Sequence, residues 1–125
     1  MIPRIVICGM RHLADAHAHL EDAWATSPWG ASEHVLVLHG GVSTLDRAVE
    51  RFADRRGFSA TVLPIKADSQ ASADDLPRQA HMMDVCDGVI AIWDGLCMET
   101  RRLIAEATGL GKRVHVHRIS VAPVA

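Results

Sequence analysis

His34-Val35-Leu36-Val37-Leu38-His39-Gly40-Gly41-Val42-Ser43-Thr44-Leu45-Asp46, followed by an amphipathic run from Arg47 to Arg56, decides the fold. Valines and leucines with almost no polar alternation read as a strand buried on both faces. Two adjacent glycines let the chain turn sharply and bring its backbone close to a ligand, because neither carries a Cβ. Ser43 or Thr44 can cap the helix that follows, whose unpaired N–H groups and dipole favour an anion. Strand, glycine turn and helix N-terminus together suggest a cradle for phosphate or carboxylate. An ordinary tight strand-to-helix connection would carry the same residues.

The alternation of strand and helix continues in both directions. Arg4 to Cys8 reads as a first strand, and His12 to Thr26 as an alanine- and leucine-rich helix stopped by Ser27-Pro28-Trp29-Gly30. Leu45 to Arg56 is a second helix closed by Gly57, and Ala60 to Ile65 a third strand. A polar loop from Lys66 to Asp75 precedes a short helix over Pro77 to Val85. Gly88 to Trp93 is a fourth strand, and Glu99 to Leu110 a helix ended by Gly111. Arg113 to His117 is a fifth strand, and Ser120 to Ala125 a frayed tail. Repeated βαβ units predict a three-layer, Rossmann-like α/β domain with a mostly parallel sheet of about five strands, order 3-2-1-4-5, and helices on both faces. Ligands of such sheets lie beyond the carboxyl ends of the strands. Gly9-Met10-Arg11, Gly40-Gly41, Ala67-Asp68 and Asp94-Gly95 stand at those ends and converge on one edge.

Composition narrows the classes. A chain of 125 residues, 49% hydrophobic and 22% charged, suits a single globular domain. The net charge of −2 includes no lysine- or arginine-rich block, so a nucleic-acid partner is not expected. The apolar start, Met1 to Cys8, is too short for a signal peptide or membrane span, and a cytoplasmic protein is expected. Cys8, Cys86 and Cys97 lack CxxC spacing and read as reduced thiols; Cys97 precedes a helix N-terminus, without an evident base beside it. Among the 8 histidines, His12, Asp15 and His19 fall on one helical face and His115 and His117 on one strand face. Neither set has zinc-motif spacing, and no metal or cofactor is called for.

Taken together, the segments resemble the SLOG superfamily, relatives of the DprA-type and lonely-guy proteins, in the branch of small YspA/cpYpsA-related proteins common in bacteria, plasmids and phages. The residues that carry the resemblance are Gly9-Met10-Arg11 with Asp15; His39-Gly40-Gly41 with Asp46-Arg47-Ala48; Arg78 with Met82 or Met83; and Asp87 to Gly95 with Thr100. It implies a nucleotide or nucleotide-derived ligand over the first, second and fourth strand ends. Three positions depart from the pattern. Met10 replaces a serine, Thr44 a glycine, and Glu99-Thr100 a glycine-threonine pair. A glutamate at a helix N-terminus repels phosphate, so this anion site is weakened or turned toward a neutral ribose hydroxyl. Related glycosidic-bond enzymes carry a glutamate three residues beyond the threonine, where this chain has Leu103.

The ligand-binding expectation therefore covers Gly9, Met10, Arg11, His39, Gly40, Gly41, Val42, Asp46, Arg78, Asp94, Gly95, Glu99 and Thr100. Arg11 and Arg78 would supply positive charge, and Asp46 and Asp94 would accept from ribose hydroxyls or simply hold their own turns. Trp93 could stack on a base or pack the core. Trp24 and Trp29 could cover the core or mark a contact in a homo-oligomer, of which a dimer is the simplest. The leading reading is a nucleotide-type ligand sensor or sequestering protein. An N-glycosidic hydrolase or ribosyl or deoxyribosyl transferase using Glu99 or Asp94 is the rival, and a non-catalytic interaction module is the third.

Overall fold

Successive residues of the central strands point to opposite helix layers, which is why those strands are apolar throughout rather than alternating. The computed structural model describes residues 2–10, 13–40, 44–62 and 84–119. Strands β1 (Arg4–Gly9), β2 (Leu36–His39), β3 (Ser59–Val62), β4 (Gly88–Trp93) and β5 (Arg113–Arg118) pair in parallel in the order β3-β2-β1-β4-β5. Helices α1 (Ala16–Thr26) and α2 (Thr44–Arg56) lie on one face, and α3 (Met98–Gly109) on the other. The expected Rossmann-like α/β architecture and strand order are those observed.

Ile5, Ile7, Val37, Ile90 and Ile92 meet Leu20, Trp24, Val49 and Phe52 on the α1/α2 side. Val6, Cys8, Leu38, Val89 and Ala91 meet Ala107 of α3, with Leu103 and Ile104 partly buried beside it. Trp24 is wholly buried, its ring centroid 5.4 Å from Phe52 and 5.2 Å from Phe58. It fills the core and is no contact residue. Trp29 is half-buried, with its indole against Gly88, where a Cβ would overlap the ring. Gly57 and Gly111 end α2 and α3 with φ of 70° and 75°, the left-handed conformation expected at a helix C′ position.

Several element boundaries differ from those expected, most by a single residue. Helix α1 begins at Ala16 rather than His12, because Asp15 adopts a left-handed φ of 55° as its N-cap and makes no side-chain cap bond. Strand β2 begins at Leu36 rather than His34; Val35 is buried without being part of the ladder. The described part of β3 ends at Val62, and the rest of that expected strand, the polar loop, most of the helix over 77–85 and the tail from Ser120 lie outside the described residues. No helix among the described residues is long and apolar enough to cross a membrane.

Candidate functional site

Strand order reverses between β1 and β4: the chain builds β2 and β3 on one side of β1, then β4 and β5 on the other. In open parallel sheets the crevice beyond such a reversal is where ligands bind. Gly9 and Met10 border it from β1, and Trp93, Asp94 and Gly95 from β4. Gly9 has φ 155°, and a Cβ built on it would run into the Ile92 carbonyl oxygen. Only glycine allows the two backbones to approach this closely. The Met10 N–H donates to the same carbonyl at 3.3 Å, while the Met10 side chain packs on the α1/α2 core.

At the end of β2, His39 and Gly40 lie under the first turns of α2. Asp46 is buried, and its Oδ2 stands 3.3 Å from the position a Gly40 Cβ would take. The carboxylate therefore closes over the glycine. His39 is 1% exposed, and neither ring nitrogen has a hydrogen-bond partner among the described residues. Glu50 Oε1 lies 3.5 Å from Nε2, close enough to act on its charge. Burial lowers the His39 pKa, opposed in part by Asp46 and Glu50, so the ring is neutral at pH 7.

The β4 end is organised by Asp94. Its Oδ1 accepts the N–H groups of Leu96 and Cys97, each at 2.8 Å, and these bonds hold the carboxyl below its ordinary pKa. An ionised Asp94 cannot serve as a general acid near neutral pH. Gly95 follows with φ 86°. Trp93 Nε1 donates to the Cys97 carbonyl at 2.9 Å, so the indole braces this loop, half-buried and outside the two core clusters. Thr100 is wholly buried, with its hydroxyl donating to Cys97 Sγ at 3.4 Å. It steadies the turn from inside. Glu99 is exposed on the first turn of α3. Leu103, at the position where the resemblance places a catalytic glutamate, packs against the sheet.

Arg118 is the residue that sequence reading missed. It ends β5 in register with Trp93, and its guanidinium lies over the Trp93 ring, 5.3 Å from the centroid. A Cβ on Gly95 would come within 2.8 Å of the Arg118 Cζ. The available signal was its place at the carboxyl end of a strand, one residue beyond where the fifth strand was expected to stop.

Gly9, Met10, His39, Gly40, Asp46, Asp94, Gly95, Glu99 and Thr100 thus lie at or just behind the carboxyl edge of the sheet. Arg11, Gly41, Val42 and Arg78 lie outside the described residues, as do His12, Ser43, Ala67, Asp68, Met82 and Met83. Asp15 precedes α1, so it shares no helical face with His19, whose ring instead lies 5.6 Å from that of His117. Among the described residues no group of three or more His, Cys, Asp or Glu side chains could hold a metal ion. All three cysteines are free thiols; Cys8 is pushed up to about 12, first by burial and then by Asp46 and Cys86.

Open grooves occur elsewhere. One of about 360 Å³ includes Ile2, Arg4, Leu36 and Ser59 at the opposite end of the strands, and one of about 390 Å³ includes His17, Arg51 and Arg55 between α1 and α2. Neither meets the carboxyl edge, where the glycines, carboxylates and Arg118 are gathered. No family model matches the chain, and no curated protein or solved structure matches it either.

Proposed function

We propose that this chain is a small SLOG-like protein that binds a nucleotide or nucleotide-derived ligand at the carboxyl edge of its sheet, acting in sensing or sequestration. The observation that carries this reading is the reversal of strand order at Gly9, where β1 meets β4 without room for a side chain. Carboxylates at such an edge suit ribose hydroxyls, which donate hydrogen bonds, better than they suit bare phosphate. Leu96 and Met98, 79% and 65% exposed, offer apolar surface beside them for a base.

Sensing is favoured over turnover because Leu103 faces the sheet and Asp94 is ionised and bonded to its own loop. The glycosidic-cleavage alternative then rests on Glu99, and Glu99→Gln separates the two readings: loss of product with retained binding supports an enzyme. The interaction-module reading loses Trp24 as a contact, since that side chain is wholly buried.

A thermal-shift screen against nucleotides, NAD, ADP-ribose and cyclic nucleotides, with nucleoside and ribose phosphate controls, tests the proposal. Ligand at a hundred times its Kd adds about 2.7 kcal/mol to stability. A hit weakened by Gly40→Ala, whose Cβ would press on Asp46, and by Arg11→Ala supports the carboxyl edge. A flat screen on folded protein overturns the proposal.

A further inference from the structure

A nucleotide's phosphate needs positive charge. Asp94 takes the N–H groups of Leu96 and Cys97, just ahead of α3, so these two donors are already used within the loop. Its carboxylate also places negative charge beside the loop, and a cation close by offsets that charge for an incoming anion.

Arg118 has the required placement. The β4–β5 register sets it directly beside Trp93. Its guanidinium lies over the indole, which Nε1 pins in turn to the Cys97 carbonyl. Gly95 makes room for it, since a Cβ there would collide with the guanidinium. Nearness to Arg118 adds the smallest share to the lowering of the Asp94 pKa, behind the backbone hydrogen bonds, chiefly those from Leu96 and Cys97. Among the described residues the Arg118 side chain makes no hydrogen bond. A guanidinium stacked on an aromatic face keeps its N–H donors around its rim, in the fork that matches a phosphate. The stack thus fixes the plane of the group.

We infer that Arg118, held on Trp93 and beside Gly95, is a phosphate-binding residue of this edge, taking the phosphate of a nucleotide through a bidentate contact. This assignment rests on the nucleotide reading above. It also assigns Trp93 a positioning role: the ring presents the arginine.

Calorimetric titration of the wild type, Arg118→Ala and Arg118→Lys with adenosine, guanosine, cytidine and uridine and their 5′-monophosphates tests it. The wild type should bind at least one monophosphate more tightly than its nucleoside. Arg118→Ala should weaken that monophosphate about 10- to 100-fold, the range of a charge-assisted contact, and leave the nucleoside unchanged. Arg118→Lys, which keeps the charge and loses the fork, should fall between. Unchanged monophosphate binding by Arg118→Ala overturns the assignment and leaves the nucleotide reading standing. Equal weakening of nucleoside and monophosphate also overturns it, because the residue would then be shaping the edge rather than holding phosphate. A wild type that binds none of the eight compounds overturns the phosphate assignment as stated, whereas the nucleotide reading falls only if the thermal-shift screen is flat as well.

Discussion

Replacing His39 with leucine should make this protein more stable, although the residue lies at the candidate site. The imidazole is 1% exposed, and both ring nitrogens lack hydrogen-bond partners among the described residues. Burying a polar group without a partner costs about 1–3 kcal/mol. Leucine is similar in size and carries no polar atom, so His39→Leu recovers much of that cost, about 1–2 kcal/mol at pH 7. For a chain of this length the gain corresponds to a Tm rise of roughly 4–8 °C. Acid should widen the gap. The folded-state pKa of His39 lies below its ordinary value of 6.5, chiefly through burial. Below pH 6.5 the unfolded chain binds the proton first, so wild-type stability falls as pH drops from 6.5 to the folded pKa and then levels off. The slope in that window is at most about 1.4 kcal/mol per pH unit. His39→Leu lacks this loss; His117, also lowered by burial and by His19, contributes a dependence of the same sign to both proteins. Urea unfolding of both proteins at pH 7.5, 6.5, 5.5 and 5.0 (buffer values chosen as roughly spanning the window) checks the reasoning. A variant less stable than wild type at pH 7, or a gap that narrows on acidification, refutes it.

Three further outcomes test the packing that positions the site. Phe52→Ala removes a wholly buried ring set against Trp24 and Phe58 and should cost about 3–5 kcal/mol by chemical unfolding; a loss below about 1 kcal/mol would contradict the core described. Gly9→Ala meets both a positive φ and the Ile92 carbonyl, whereas Gly57→Ala meets a positive φ in open space. Thermal melts should therefore rank Gly9→Ala as more damaging than Gly57→Ala, which should cost about 1–2 kcal/mol. Asp94→Asn should lower Tm at neutral pH by weakening the loop before α3. The carboxyl's depressed pKa contributes stability that is full above the unfolded value of 3.8 and is lost as pH falls through the folded one. Melts below pH 5 should show a shallower acid loss in Asp94→Asn, and an unchanged slope would count against its bracing of this loop.

Sheet order and the elements that build it were legible in the chain because they are written in local periodicity. The apolar runs 34–39 and 88–93, the glycine after each helix and the glycine turns after β1 and β2 carry their meaning within a few residues. Right-handed crossovers then leave few arrangements for five alternating units. What tertiary structure alone decided are pairings between distant positions. Arg118 meets Trp93 across 25 positions of sequence only because β4 and β5 pair in that register. His39 ends up buried, with Glu50 of α2 3.5 Å from its Nε2, and nothing in its sequence neighbours foretells the loss of solvent. Trp24 could have been core or surface until Phe52 and Phe58 arrived beside it. Asp94 also braces its own loop, its Oδ1 accepting from backbone N–H groups two and three residues ahead. Local sequence sets which conformations each segment prefers; desolvation and side-chain contact between segments select which polar groups end up bonded, buried or available, and those energies exist only once the segments have met.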